Sequence, residues 1–166
     1  MKRIVTLLTG LISLVALDQL VKLWTLKVLK PGGPIPIIPG VLELSYVENR
    51  GAAFGILQNR QWLFIAITVL VVLGIILLVP RIPRERHYLG LRLCAYFILA
   101  GAAGNMIDRI IRGYVVDMIY FRLIDFPVFN VADIYVTCSA FALIFLMIFF
   151  YKDEDLEKIF PGKKEE

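Results

Sequence analysis

Four apolar runs constrain this chain of 166 residues more than any other feature: Ile4 to about Trp24, Trp62 to Val79, about Tyr88 to Ile107, and Val131 to Tyr151. Each is near the roughly 20 residues that cross a bilayer as an α-helix. In hydrocarbon every backbone polar group must find a partner within the protein, which leaves helices or closed barrels, and unbroken apolar runs lack the alternation of barrel strands. The expected architecture is all-α and integral to the membrane, one domain with four transmembrane helices. Composition points the same way. The chain is 59% hydrophobic and 19% charged, whereas soluble domains carry about 25% charged residues, and a domain this short could not hide so much apolar surface.

The short loops set an orientation. The compact basic stretch PRIPRERH (Pro80–His87), together with Lys2 and Arg3, belongs in the cytoplasm. Four crossings then place both termini there. Residues 25–61 and 109–130 become outer loops, and 152–166 a cytoplasmic tail whose mixed charge suggests a solvated extension. Arg109, Arg112 and Arg122 fall on the outer side, against the charge rule but too few to overturn it. The opening MKR resembles the start of a cleavable signal peptide, yet no A-x-A site follows, and Asp18, Gln19 and Lys22 stand where cleavage would occur. The first segment is therefore expected to stay. In the first outer loop, PGGPIPIIPG is too rich in Pro and Gly for helix. VLELSYV, in which Leu42, Leu44 and Tyr46 alternate with Glu43 and Ser45, reads as a short strand. A small β-rich cradle outside the membrane is expected.

Several function classes drop out. A net charge of +4, scattered along the chain, gives no footprint for nucleic acid. Cys94 and Cys138 lie inside apolar runs and His87 is the sole histidine, so neither a disulfide nor a zinc site is expected, and both cysteines read as small core residues. There is no H-E-x-x-H, G-x-S-x-G, P-loop or G-x-G-x-x-G. No metal and no cofactor are expected.

The polar residues of the spans converge. Asp18 and Lys22, one helical turn apart, lie near the outer end of the first span; Asn105, Asp108 and Arg109 close the third; Asp117 lies just beyond; Asn130 and Asp133 open the fourth. All sit at one depth on one side. Charges in lipid are unfavourable by about 2.5–3.5 kcal/mol on insertion scales, and such residues usually face a protein interior or a watery cavity. A polar pocket near the outer surface is expected. Some of these residues also have plain structural readings. Asp18 with Lys22 makes an interfacial ion pair. Asn130 and Asp133 fit a helix N-cap with an acid at its third position. Ala100 and Gly104 of AGAAGN allow close helix packing, and Asp125 reads as a solvated turn acid. Asp117, between VV and MIY, is the hardest of them to explain by structure alone. Two carboxylates in one damp pocket suggest aspartic-protease chemistry, one acid keeping its proton while the other activates water. Acids within spans also suit a small proton-coupled transporter, and a non-catalytic membrane assembly factor is a third possibility.

Five blocks, in order, carry a resemblance to the bacterial lipoprotein signal peptidases (signal peptidase II): DQLVK (Asp18–Lys22), NRGAAFG (Asn49–Gly55), GAAGNMIDR (Gly101–Arg109), VVD (Val115–Asp117) and FNVAD (Phe129–Asp133). The resemblance implies a membrane aspartyl endopeptidase that cuts prolipoproteins before a cysteine bearing diacylglycerol, with Asp117 and Asp133 as the catalytic pair. It implies site-shaping or substrate-holding roles for Asp18, Lys22, Asn49, Gly51, Asn105, Asp108, Arg109, Asn130 and Ala132. It further implies a monomer among lipids in the bacterial inner or plasma membrane, its site on the extracytoplasmic side. Two positions depart from the family pattern: Ala100, where a glycine is usual, and Met118, where phenylalanine is common. Asp133 at the positive end of a helix suits the base and Asp117, in apolar surroundings, the acid. The first outer loop is expected to form a lid over the pocket, with Phe54 against lipid or substrate.

Overall fold

The computed structural model describes residues 2–51 and 60–160, in the order α1 (Lys2–Gly32), β1 (Ile35–Ile38), β2 (Leu42–Asn49), α2 (Gln61–Leu78), α3 (Leu89–Arg112), β3 (Val115–Tyr120), α4 (Val131–Phe149) and α5 (Asp153–Glu157). Among the described residues, four helical segments are long and apolar enough to cross a membrane: Leu7–Gly32, Gln61–Arg81, Arg86–Arg112 and Val131–Phe149. Their apolar side chains mostly point outward, as Ile12, Leu70, Leu77, Phe141 and Phe149 do. That pattern is inverted for a soluble protein and suits one solvated by lipid. The first helix continues past Trp24 to Gly32, carrying Pro31 in its last turn.

The expected cradle is a three-stranded antiparallel sheet, β1-β2-β3. Strand β2 contains the expected LELSYV pattern. Strand β3 is the VVD segment itself, buried over Val115–Met118 and pairing Asp117 with Val47. Val116 and Met118 pack with Leu29 of α1 and so dock the sheet on the C-terminal end of that helix. Gly113 ends α3 with φ 74°, a left-handed conformation that a side chain disfavours, and turns the chain sharply into β3. At the far end of β3 the Phe129 carbonyl accepts from the amides of Met118 (3.0 Å) and Ile119 (2.8 Å). This clip brings the start of α4 back beside β3.

One expectation is overturned at the opposite end. The tail does not extend into solvent over its described part: Tyr151 and Ile159 are buried with Ile82, Tyr88 and Leu91. Leu156 and Ile159 give the charged tail one apolar face at helical spacing. Asp155 anchors it by accepting from the Tyr88 hydroxyl at 3.0 Å. Phe54 and the rest of 52–59, assigned above to a lid, lie outside the described residues.

Candidate active site

The site is built where α1, α3, β3 and α4 meet, and local sequence explains each contribution. Asn130 caps α4. Its Oδ1 accepts from the Asp133 amide at 3.0 Å, and Asp133 Oδ2 accepts from the Asn130 amide at 3.1 Å. This capping box holds the Asp133 side chain at the mouth of the helix. The same Asn130 side chain turns its Nδ2 to Asp117 Oδ1 (2.6 Å) and to Asn105 Oδ1 (3.1 Å). Asn105 in turn donates to Asp133 Oδ1 at 2.8 Å. Two amides thus link two carboxylates through three elements.

Asp117 is 1% exposed. Its second oxygen accepts from Asn49 Nδ2 at 2.9 Å, while Asn49 Oδ1 accepts from the Gly51 amide at 2.9 Å. Burial, and then the neighbouring charge of Asp133, push the Asp117 carboxyl up to about 7, against the hydrogen bonds from Asn49 and Asn130 and the charge of Lys22. A carboxyl poised there can carry or release a proton near neutrality.

Behind the pair lies a fully buried charge cluster. Lys22 Nζ sits 2.9 Å from Asp18 and 3.2 Å from Asp108, and donates to Asn105 Oδ1 at 2.9 Å. The Asp18–Lys22 pair is therefore not interfacial but enclosed, both side chains fully buried. Asp18 Oδ1 accepts from the Ala132 amide at 3.0 Å, fastening α1 to the first turn of α4. Gly104 makes this approach possible, since a Cβ there would lie 2.5 Å from Asp18 Oδ2. Asp108 Oδ2 accepts from the Val116 amide at 3.0 Å, one residue before Asp117.

A cavity of about 550 Å³ opens beside this network, lined by Asn49, Gly51, Phe64, Arg109, Asp133 and Thr137, among others. Asp133 faces it directly, and Asp117 joins it through Asn49. The Arg109 guanidinium lies 5.1 Å from the Phe64 ring centroid, a cation–π contact across the cavity wall. Cys94 is buried as expected, but Cys138 is exposed and lines the cavity together with Ile134, one turn before it on α4. Asp125 is exposed and accepts from the Tyr120 hydroxyl at 2.6 Å, in a left-handed turn at φ 47°. Among the described residues, no three His, Cys, Asp or Glu side chains gather as a metal ion would need.

The structure thus brings all eleven sequence-selected residues together: Asp117 and Asp133 on the amides, Asp18, Lys22, Asp108 and Ala132 in the cluster behind, Asn49, Gly51 and Arg109 at the cavity. It adds three that the sequence did not single out. Gln19 bridges Asp18, the Gly104 carbonyl and Asp108; Arg112 pairs with Asp108; Phe64 stacks on Arg109. For Arg112 the spacing of four from Asp108 was available as a signal.

Comparison with known proteins places these features in a family. The model of the signal peptidase (SPase) II family matches residues 11–149. Curated lipoprotein signal peptidases from Streptococcus pyogenes serotypes M6 and M1 are each 44% identical over 146 residues, covering 88% of this chain and 93% of theirs. Two solved bacterial membrane enzymes share the fold. One, with TM-score 0.76 and 28% identity, covers 97% of this chain and 94% of its own. The other, with TM-score 0.74 and 30% identity, covers 88% and 94%.

Proposed function

The chain belongs to the signal peptidase II family, and from that premise we propose that it is a membrane protease that removes signal peptides from prolipoproteins, using Asp117 and Asp133 as a catalytic pair. The observation that carries this is Asn130, whose one side chain bonds both aspartates, at 2.6 Å to Asp117 and 3.0 Å to the Asp133 amide.

Asp117 enters the cycle with a proton and Asp133 without one. Water attacks the scissile carbonyl carbon and gives a proton to Asp133, while the carbonyl oxygen takes the Asp117 proton, leaving a gem-diol. On collapse the C–N bond breaks. Asp133 returns its proton to the departing nitrogen, and Asp117 regains one from the diol. The pair ends as it began, the logic of two carboxylates that cannot both ionise easily. Asn105 and Asn130 hold the oxygens in place through this exchange.

The substrate is a prolipoprotein carrying diacylglyceryl cysteine, cut before that residue. The enzyme works as a monomer among membrane lipids in the bacterial inner or plasma membrane. Its cavity faces the extracytoplasmic side and both termini the cytoplasm. Supporting this orientation, the basic loop precedes α3 and the cavity residue Arg109 lies in its last turn, so the two stand at opposite ends of one helix. Its 24 residues extend about 36 Å, enough to cross the hydrocarbon core.

The test is cleavage of a diacylglyceryl-modified prolipoprotein by purified protein, beside Asp117→Asn and Asp133→Asn. Cleavage before the lipidated cysteine by wild type, with both folded variants at least about a thousandfold slower, is expected. Near-normal turnover in either variant refutes the pair.

A further inference from the structure

Among the charged side chains of the cluster behind the aspartates, Arg112 is the one that reaches the protein surface. Asp18 and Asp108 are fully buried, and so is Lys22, which lies between them. Lys22 alone would leave this pocket one negative charge in excess. The fourth member is Arg112 in the last turn of α3, whose side chain is 16% exposed and whose Nη1 pairs with Asp108 Oδ1. Two carboxylates and two cations then balance.

Asp108 has its two oxygens divided between different tasks. Oδ1 takes Arg112 and, at 3.3 Å, Gln19 Nε2. Oδ2 takes Lys22 and the Val116 amide, at 3.2 Å and 3.0 Å. Gln19 also touches Arg112 through its Oε1 at 3.4 Å. With Oδ1 pinned by two donors, the carboxylate cannot rotate away from Val116. Val116 is adjacent to Asp117 in a strand whose amide partners lie on β2 and Phe129. Charged hydrogen bonds of this kind are stronger than neutral ones and are costly to leave half-made.

We propose that Arg112 is a positioning residue for Asp117: by fixing and neutralising Asp108, it sets the Val116 amide and hence the place and charge environment of the neighbouring carboxyl. This rests on the proteolytic reading above. Without Arg112, Lys22 is shared between Asp18 and Asp108, and the cluster beside the Asp117 backbone carries one negative charge in excess. The other groups acting on Asp117 remain: Asp133 from α4, Lys22 from α1 and Arg109 from α3 by charge, and Asn49 and Asn130 by hydrogen bond. The added negative field favours the protonated form of Asp117. The Asp108 carboxylate that anchors β3 from α3 also loses one of the two donors holding its Oδ1.

Arg112→Met and Arg112→Lys are compared with wild type for cleavage of the same lipidated prolipoprotein across pH. For Arg112→Met, kcat is expected to fall about tenfold with KM nearly unchanged, since small misplacement of a reacting group acts on the chemical step. The alkaline limb of its profile is expected to move up by about half a pH unit, and Arg112→Lys to recover most of both effects. A structural contribution alone would lower the yield of folded enzyme and leave that limb in place. A folded Arg112→Met enzyme with wild-type kcat, or with a reduced kcat and an unmoved limb, overturns the positioning role. If Arg112→Met does not fold, Gln19→Met, which removes the other donor to Asp108 Oδ1, carries the test: kcat about threefold down at unchanged KM supports the role, and no change overturns it. A wild-type protein that does not cleave overturns the proteolytic reading itself, an outcome distinct from either variant result.

Discussion

Asn130 Nδ2 lies 2.6 Å from Asp117 Oδ1. The residue that caps α4 is thus also the residue that reaches across to β3. Its backbone amide and side-chain oxygen hold Asp133 in the capping box at the same time. A local helix-start signal and a long-range site contact coincide in one side chain, so substitution there disturbs fold and chemistry together.

Asn130→Ala is expected to remove the cap, destabilising the protein by about 1–2 kcal/mol, and to slow cleavage far more than that loss explains. Asn130→Asp keeps a capping oxygen but brings a third carboxylate to Asp117 and Asp133. It is expected to recover much of the stability and little of the turnover. Thermal unfolding in detergent, read beside single-turnover cleavage, separates the two effects. Parallel recovery of both would contradict the double role.

The Asp117 carboxyl has a pH signature in stability. It holds its proton up to about 7 in the folded protein, against an ordinary value of 3.8. The folded state therefore binds more protons between those values, and stability falls as pH rises from about 4 to about 7, by an amount on the order of a few kcal/mol. Asp117→Asn cannot ionise. It is expected to raise the melting temperature relative to wild type at about pH 8 and to do so much less at about pH 4. Equal shifts at the two pH values would count against a raised Asp117.

Lys22 stands between two buried carboxylates. Removing one partner of a buried ion network strands the others, typically at about 3–5 kcal/mol. Lys22→Met is expected to destabilise by that amount and to abolish cleavage. A denaturant titration in detergent showing less than about 1 kcal/mol of change would mean that the cluster relaxes or takes up protons.

Gly104→Ala places a methyl 2.5 Å from Asp18 Oδ2 and 3.3 Å from Ala132 Cβ. Overpacking of this kind usually destabilises by about 1–3 kcal/mol, and here it would also push α1 and α4 away from α3 beside the site. Gly74→Ala, where a Cβ meets nothing within 4 Å, is the control. It is expected to be neutral or to stabilise slightly, by up to about 1 kcal/mol, through helix propensity. Comparing melting temperatures and turnover of the two variants checks this directly.

What local rules and solvent dictate was legible along the chain. Continuous apolar runs of membrane length required helices, because lipid offers backbone groups no partners. The alternation in LELSYV required a strand, and Asn130 with Asp133 announced the capping box that the structure contains. Asp18 and Lys22 were legible as a pair because one helical turn separates them. Tertiary structure decided whatever joins residues distant along the chain. Whether the Asp18–Lys22 pair faced lipid headgroups or a closed interior depended on Gly104 of another helix. VVD became a strand because Asn49, Asp108 and Phe129 supply partners for it from three other segments. Arg112 looked like an exception to a charge rule until Asp108 met Val116. The tail looked solvated by charge, yet packing of Tyr88 and Tyr151 buried one face of it. Periodicity reports which way a side chain points along its own element. It does not say which element waits there, and in a site made of long-range hydrogen bonds that is where the chemistry resides.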